Sequence, residues 1–457
     1  MITKLAPPGV SGISEVLSRN VESEIFPPHL ELVPQLNELY EFQLAFYESR
    51  ILTEDEVLRQ GAYFSRVGGQ PTRHFLICRG EPLKLADHSS SRLKAFFKTN
   101  QFKTGYATHG LFPYRGKFHP QMVKALLNLM GLKPGETVLD PMMGSGTTLI
   151  EATLMGVDSV GIDASPFCRF MAQAKLDGLR VPLAPVEWAL QNAEAVFEHF
   201  TRTSGHPSGK RGLKKTSQVR LDLDRGPKEG SNPSKALSNI LKVEAVRNYL
   251  LLAYLDSAGY SLRSQRRAPF ELFRAILERY LFVARKIQGV LQGVESELGK
   301  GTSLEGDARR LPLQDGEVDG ILFSPPYSFA IDYVANDAFH LQSMGVDLPA
   351  LRQDMLGLRG DTLKEKYALY VQDMRQVLHE CQRVLRSDRF CTVVVGTNNQ
   401  QLAKILNVEP QDVRSISDLL VDLARESGLE LVRAIQRQIT GMANTMRSEY
   451  ILILQKR

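Results

Sequence analysis

The chain has 457 residues, 43% of them hydrophobic and 23% charged, with a formal net charge of +5. It is long enough for two or three packed units, and that composition excludes disorder as its main state. No run approaches the roughly 18 consecutive apolar residues of a membrane helix, because the longest, around Tyr249 to Tyr254, is interrupted by Asp256.

At the amino terminus Pro7 and Pro8 follow Lys4 before any apolar run, so no signal peptide is expected and a cytoplasmic location is. Leu36, Leu39, Tyr40, Leu44 and Tyr47 recur at helical spacing within Leu30 to Leu58, and Arg73 to Cys78 reads as a short strand; residues 1–100 form a mixed or mostly helical region. From Gln121 helices alternate with short apolar strands. Met122 to Met130 is a helix ending at Gly131, Glu136 to Asp140 a strand, Thr147 to Met155 a helix closed by Gly156, and Ser159 to Asp163 a second strand. Helices are expected over Ala236 to Leu255, Phe270 to Leu298 and Lys366 to Leu385, strands over Asp319 to Phe323 and Phe390 to Val395. Leu429 to Gln436 and Tyr450 to Gln455 pair as a final antiparallel hairpin. The alternation predicts an α/β fold with a mostly parallel, helix-covered sheet.

Cys78, Cys168, Cys381 and Cys391 have neither CxxC nor Cys/His spacing, which argues for reduced thiols and against a disulfide framework or a metal site. The small net charge is unevenly spread. Thr201 to Lys235 holds nine Lys/Arg against three acids, and Ser261 to Arg267 adds three arginines with no acid, so these two stretches carry +9 and the rest −4. The first is also rich in Gly, Ser and Pro, which cannot build a core. A basic insertion over residues 201–298 therefore separates a part before it, 101–200, from one after it, 299–457.

The strand ending at Asp140 runs through Pro141-Met142-Met143-Gly144-Ser145-Gly146 into a helix starting Thr147-Thr148. In an open α/β sheet, ligands sit at such a strand end, against a helix amino terminus. A nucleoside triphosphate would want a lysine after Gly146, and a dinucleotide a third glycine where Leu149 stands. Asp140 at the loop entrance instead suits an ammonium or sulfonium group. Asp163, twenty-three residues on, ends the next strand, where a carboxylate accepts from ribose hydroxyls. Asp307, before the following strand, suits an adenine amine. A cationic amino acid, a ribose and an adenine in that order spell S-adenosylmethionine.

Downstream, Ser324-Pro325-Pro326-Tyr327 ends a strand. Two prolines donate no backbone hydrogen bond and fix φ, leaving carbonyls free at the carboxyl edge of the sheet. Ser324 and the Pro325 carbonyl are placed to accept from the two N–H groups of an exocyclic amine, and Tyr327 offers a face to the base bearing it. Directing both N–H groups at acceptors favours the pyramidal geometry that frees the amine lone pair. A carbon-5 route would need a thiol, and Pro166-Phe167-Cys168 has the wrong spacing for it.

Asp140-Pro-Met-Met-Gly-Ser-Gly-Thr-Thr followed by Ser324-Pro-Pro-Tyr resembles the class I amino-methyltransferases of DNA, with the serine nearer the cytosine-N4 than the adenine-N6 branch. The likeness covers about residues 105–180 and 300–457. Lys117-Phe118-His119-Pro120-Gln121 is similar to the family segment that closes over the methionine end of the cofactor. The resemblance implies a Rossmann-like, seven-stranded, mostly parallel sheet with an antiparallel carboxy-terminal hairpin. It also implies S-adenosyl-L-methionine bound by Lys117, Phe118, His119, Asp140, Met142, Gly144, Ser145, Gly146, Thr147, Thr148, Asp163, Ala164, Asp307 and Ala308. Ser324, Pro325, Pro326 and Tyr327 become the catalytic set, and DNA within restriction-modification the setting. The glycine loop precedes SPPY here, whereas SPPY often comes first in cytosine-N4 enzymes. The order found here occurs in tRNA guanine-N2 methyltransferases, which usually carry a THUMP domain and Asp or Asn before the prolines; neither is recognised in this chain.

If the substrate is a base, it must leave its stack at a cost of a few kcal/mol. Lys210, Arg211, Lys214, Lys215, Arg263, Arg266 and Arg267 are the electrostatic candidates to hold the phosphates meanwhile, with DNA preferred over RNA. Tyr106, Thr108, His109, Tyr114 and Arg115 crowd the approach to the cofactor segment, and Asp332 and Tyr333 begin a helix beside the base pocket. A nucleic-acid-binding module on a degenerate methyltransferase fold is the non-enzymatic alternative. The intact motifs argue against it.

Overall fold

The computed structural model describes residues 25–34, 36, 38–79, 105–114, 116–204, 233–263, 268–326, 332–397, 399–409, 412–438 and 448–457. The amino-terminal part comprises β1 (Leu30–Leu32), α1 (Leu39–Ile51), α2 (Glu54–Gln60), β2 (Phe64–Val67), β3 (Gln70–Pro71) and α3 (Arg73–Arg79). The helical spacing expected from Leu30 to Leu58 becomes two helices, the second started by Thr53, whose hydroxyl accepts from the Glu56 amide. Leu30–Leu32 instead pairs with β2. Arg73 to Cys78 is a helix rather than the expected strand. Thr72 caps it by accepting from the Phe75 amide at 3.1 Å, and His74 and Ile77, three residues apart, are both buried.

The central part runs α4 (Pro120–Leu129), β4 (Thr137–Asp140), α5 (Thr147–Met155), β5 (Asp158–Asp163), α6 (Pro166–Asp177), α7 (Leu183–Gln191), α8 (Ala193–Ser204), α9 (Pro233–Ile240), α10 (Glu244–Arg263) and α11 (Pro269–Leu291). The helix expected over Ala236 to Leu255 is broken in two. The amides of Lys242 and Val243 bond carbonyls three residues back, a tight turn between α9 and α10. Tyr249 and Leu250 of α10 and Phe273 and Tyr280 of α11 are buried in one apolar cluster with Phe167 and Met171 of α6. The helical portion of the insertion thus shares its core with the part before it.

The chain finishes with β6 (Gly301–Glu305), β7 (Val318–Phe323), α12 (Tyr333–Asn336), α13 (Ala338–Ser343), α14 (Leu348–Asp354), α15 (Leu363–Val384), β8 (Leu385–Thr397), α16 (Asn399–Leu406), α17 (Ile416–Glu426), β9 (Leu429–Gln438) and β10 (Ser448–Lys456). The large sheet has the order β6-β5-β4-β7-β8-β10-β9, parallel except for β10, which runs antiparallel to both neighbours. This is the seven-stranded, mostly parallel sheet with a terminal hairpin that the resemblance implies; β6 is not among the strands expected from sequence pattern, and β9 forms one edge.

Alternation along the strands separates two cores. Leu139, Ile321, Phe323 and Val393 bury against Met374 and Leu378 of α15 and Leu420 of α17. Their neighbours Val138, Leu322 and Val394 bury with Leu44 of α1 and Met122 and Leu126 of α4, so the first hundred residues contribute to the packing of the sheet. The chain lays down β4, β5 and β6 in one direction and then places β7 on the far side of β4. That reversal opens a crevice at the carboxyl ends of β4 and β7, where such sheets take their ligands.

Candidate active site

One cavity gathers most of the cofactor and catalytic residues that the sequence singles out. It is lined by Lys117, Phe118, Met142, Gly144, Ser145, Thr147, Asp163, Ala164, Asp307, Ala308, Ser324 and Pro326. Their order follows the strands: Asp307 beyond β6, Asp163 at the end of β5, the glycine loop after β4, and Ser324 after β7.

The two glycines have separate reasons. Gly144 (φ +48°) borders the cavity, and a Cβ there would meet the Tyr114 ring at 3.3 Å. Gly146 (φ +76°) is the residue before α5, and its Cβ would lie 2.8 Å from that of Ala172 on α6. Close packing of helix on helix, rather than approach to a ligand, requires glycine at 146.

Asp140 lies beneath the loop. It is buried and accepts from the Met142 amide at 3.1 Å, while burial pushes its pKa up to about 7. Asp163 faces the cavity and fixes its floor, since Oδ2 accepts from the Gly144 amide at 2.9 Å and Oδ1 from the Ser165 amide at 2.8 Å. Burial raises its pKa to about 6 against those two bonds. Both carboxylates keep lone pairs beyond the bonds named.

At the far end of the cavity, Asp307 accepts from the backbone and side chain of Arg309 at 2.9 Å. Burial works upward on its carboxyl, but the Arg309 contacts outweigh it and lower the pKa. Arg309 also donates to the Asp354 carbonyl at 2.9 Å, tying Asp307 to the segment Asp354, Met355 and Leu356 that closes this end.

Lys117 donates to the His109 carbonyl at 3.2 Å, and burial lowers its ammonium to about 8. His119 precedes Pro120, the first residue of α4, as the cap residue of that helix. His109 is buried away from the cavity with Nε2 2.7 Å from the carboxylate of Glu151, a structural contact that also steadies the carbonyl bound by Lys117.

Ser324 Oγ lies 3.5 Å from the Pro325 carbonyl, so the two expected acceptors are adjacent. Tyr327 lies outside the described residues, as do Arg115, Lys210, Arg211, Lys214, Lys215, Arg266 and Arg267; Arg263 ends α10, and its side chain is likewise outside the description. The cavity also recruits residues without a motif: Cys168, Asp337, Met355 and Leu356, together with Tyr114 and Tyr333. The two tyrosine rings are stacked, 6.4 Å between centroids and 19° from parallel. Both tyrosines are among the residues the sequence places near the pocket, and Asp332, which accepts from the Ala335 amide at 3.0 Å, starts α12 as expected.

The residues present fit S-adenosylmethionine. A half-buried carboxylate for hydroxyls, a second carboxylate, a lysine ammonium and apolar walls from Met142 and Met355 match its parts.

Comparison with known proteins agrees. Residues 111–205 match the UPF0020 family, an RMKL-like methyltransferase domain. The chain is 24% identical over 293 residues to type II methyltransferase M.BsoBI from Geobacillus stearothermophilus, covering 55% of this chain and 56% of that protein. It is 48% identical over 68 residues to type II methyltransferase M.MjaII from Methanocaldococcus jannaschii, covering 15% of this chain and 13% of that protein. It is 48% identical over 52 residues to the tRNA (guanine(10)-N2)-dimethyltransferase of Methanothermobacter thermautotrophicus, covering 11% of this chain and 16% of that protein. The chain therefore spans about half the length of M.BsoBI and much less of the other two. Sheet order, glycine loop and these matches agree that the chain carries a class I S-adenosylmethionine-dependent methyltransferase domain, related to the amino-methyltransferases of nucleic acids.

Proposed function

We propose that the protein methylates an exocyclic amine of a nucleic-acid base, with cytosine N4 in DNA as the target. The observation that carries this reading is the common cavity: Ser324 and Pro326 border the same space as Gly144 and Asp163. S-adenosylmethionine, when bound, supplies an electrophilic methyl on a sulfonium. Asp163 accepts from ribose hydroxyls, Asp307 takes the adenine end, and Lys117 holds the amino-acid carboxylate. Ser324 and the Pro325 carbonyl orient the two amine N–H groups, so that the lone pair faces the methyl without a covalent enzyme intermediate. Tyr327 stacks on the base. Lys210, Arg211, Lys214, Lys215, Arg263, Arg266 and Arg267 hold phosphates, which makes residues 201–298 the element that grips the polymer while 101–200 and 299–457 hold cofactor and catalytic motif.

Serine before the prolines and the type II methyltransferase relatives favour DNA. The tRNA guanine-N2 relative supports a second reading, in which RNA is the polymer; adenine N6 in DNA is the remaining target chemistry. The deciding experiment supplies labelled S-adenosylmethionine with duplex DNA, single-stranded DNA and total tRNA, then identifies the methylated nucleoside by mass spectrometry. N4-methylcytosine in DNA is expected. Label confined to tRNA overturns the DNA reading, and absence of both cofactor binding and label revives the non-enzymatic one.

A further inference from the structure

Beyond the stacked tyrosines lies a second cavity of about 330 Å³. It shares Tyr114, Tyr333 and Asp337 with the cofactor cavity and is completed by residues that include Phe112, Phe339 and Gly259. Ser324 and Pro326 border the first cavity and not the second, so a ring held in the second is not the ring whose amine meets Ser324. On its Tyr114 side the shared wall lies against Gly144 of the glycine loop and Cys168 of α6.

Three features give the chemical class of its occupant. The first is aromatic surface: beside the tyrosine pair, Phe339 remains 37% exposed, a large apolar side chain that folding leaves in water. Flat bases stack on such faces whatever their identity. The second is the polar rim supplied by Asn336 and Asp337, fit for the hydrogen-bonding edge of a base. The third is charge. Gly259 stands on α10 four residues before Arg263, one helical turn from the end where the sequence becomes basic through Arg266 and Arg267.

We propose that this second cavity binds the base adjacent to the target in the same nucleic-acid strand, stacked against the outer side of the Tyr114–Tyr333 wall. The strand is then splayed there, with the target base in the first cavity and its neighbour in the second. The proposal rests on the nucleic-acid reading above and extends it from one base to two.

The test uses a short random-sequence single-stranded oligonucleotide carrying 5-iododeoxyuridine, bound to the full-length protein with S-adenosylhomocysteine and irradiated. Crosslinks are expected at Phe112, Tyr333 or Phe339. Ala335→Trp, at an exposed position that borders only the second cavity, fills it; oligonucleotide affinity should fall about tenfold or more and the crosslinks should vanish, with S-adenosylhomocysteine affinity unchanged. Phe339→Ala removes one stacking face without adding bulk and should weaken binding about tenfold. Wild-type oligonucleotide affinity in both variants, crosslinks mapping to other surfaces, or no oligonucleotide binding by the wild type each overturn the proposal. Label incorporation separates the two readings. Methylated nucleoside formed equally by wild type and Phe339→Ala overturns the second cavity alone, whereas the expected crosslinks without label in any nucleic acid overturn the methylation reading alone.

Discussion

Asp163 illustrates how one side chain serves both fold and site. Its two oxygens hold the Gly144 and Ser165 amides, and burial sets its pKa at about 6 rather than 3.8. Because the folded value is the higher one, the native apo protein keeps a proton that the unfolded chain has already lost. The contribution of Asp163 to stability is therefore fullest below about 4 and declines as pH rises through 6. Ribose hydroxyls donating to the carboxylate favour its ionised form, so S-adenosylhomocysteine affinity should rise between pH 5 and 7 with a midpoint near 6. Calorimetry across that range tests it, and a flat profile would refute the role. Asp163→Ala should weaken cofactor binding about tenfold or more, since two amides and the ligand lose an acceptor together. Ser324→Ala should instead lower turnover by about 100-fold with cofactor affinity intact, measured by single-turnover methylation beside calorimetry; the reverse pattern would exchange the two roles. These residues were legible because strand ends and their spacing announce them. Met355 and Leu356 were not, because tertiary packing alone brings their segment to the crevice.

At the scale of elements, strand α-helix alternation was legible wherever apolar periodicity and a glycine stop coincided, as in α5, whose bounds Thr147–Met155 match the reading from sequence. Arg73–Arg79 is a helix and not the expected strand because a short apolar run fits both periods and the Thr72 cap decides between them. Gly68-Gly69, with φ of 55° and 82°, is the hairpin signal that joins β2 to β3. The same positive φ values make a test of helix packing. Gly146→Ala incurs backbone strain and a 2.8 Å contact with Ala172, whereas Gly135→Ala, at φ +85° with open space around it, incurs strain alone. Strain of this kind costs about 1–3 kcal/mol. Chemical denaturation should therefore show Gly146→Ala as the less stable of the two, the difference measuring the α5–α6 contact. Equal stability would mean that α6 yields to the added methyl without cost.

For the whole molecule, six of the seven strands of the large sheet could be read from sequence because each carries its own pattern, whereas β6, Gly301–Glu305, could not. The docking of α1 onto the sheet and of α10 and α11 onto α6 could not, since each depends on faces that become complementary only when distant segments meet. Charge is the property of the whole chain with the most to say about the substrate. The net +5 conceals +9 in two stretches of the insertion and −4 elsewhere, so its basic segments dominate the field toward a polyanion. Each phosphate contact releases counterions and steepens the fall of log affinity with log salt by about 0.7 to 0.9. Replacing Lys210, Arg211, Lys214 and Lys215 by serine removes four charges from a stretch that holds no motif of the cofactor site. Polynucleotide binding measured over a range of salt concentrations should then show a shallower slope, by about 2.8 to 3.6 if all four contact phosphates, while S-adenosylhomocysteine affinity stays as it was. An unchanged slope would leave these lysines and the arginine as solubilising charge and shift phosphate binding to the end of α10, where Arg263, Arg266 and Arg267 follow Gly259 at the edge of the second cavity.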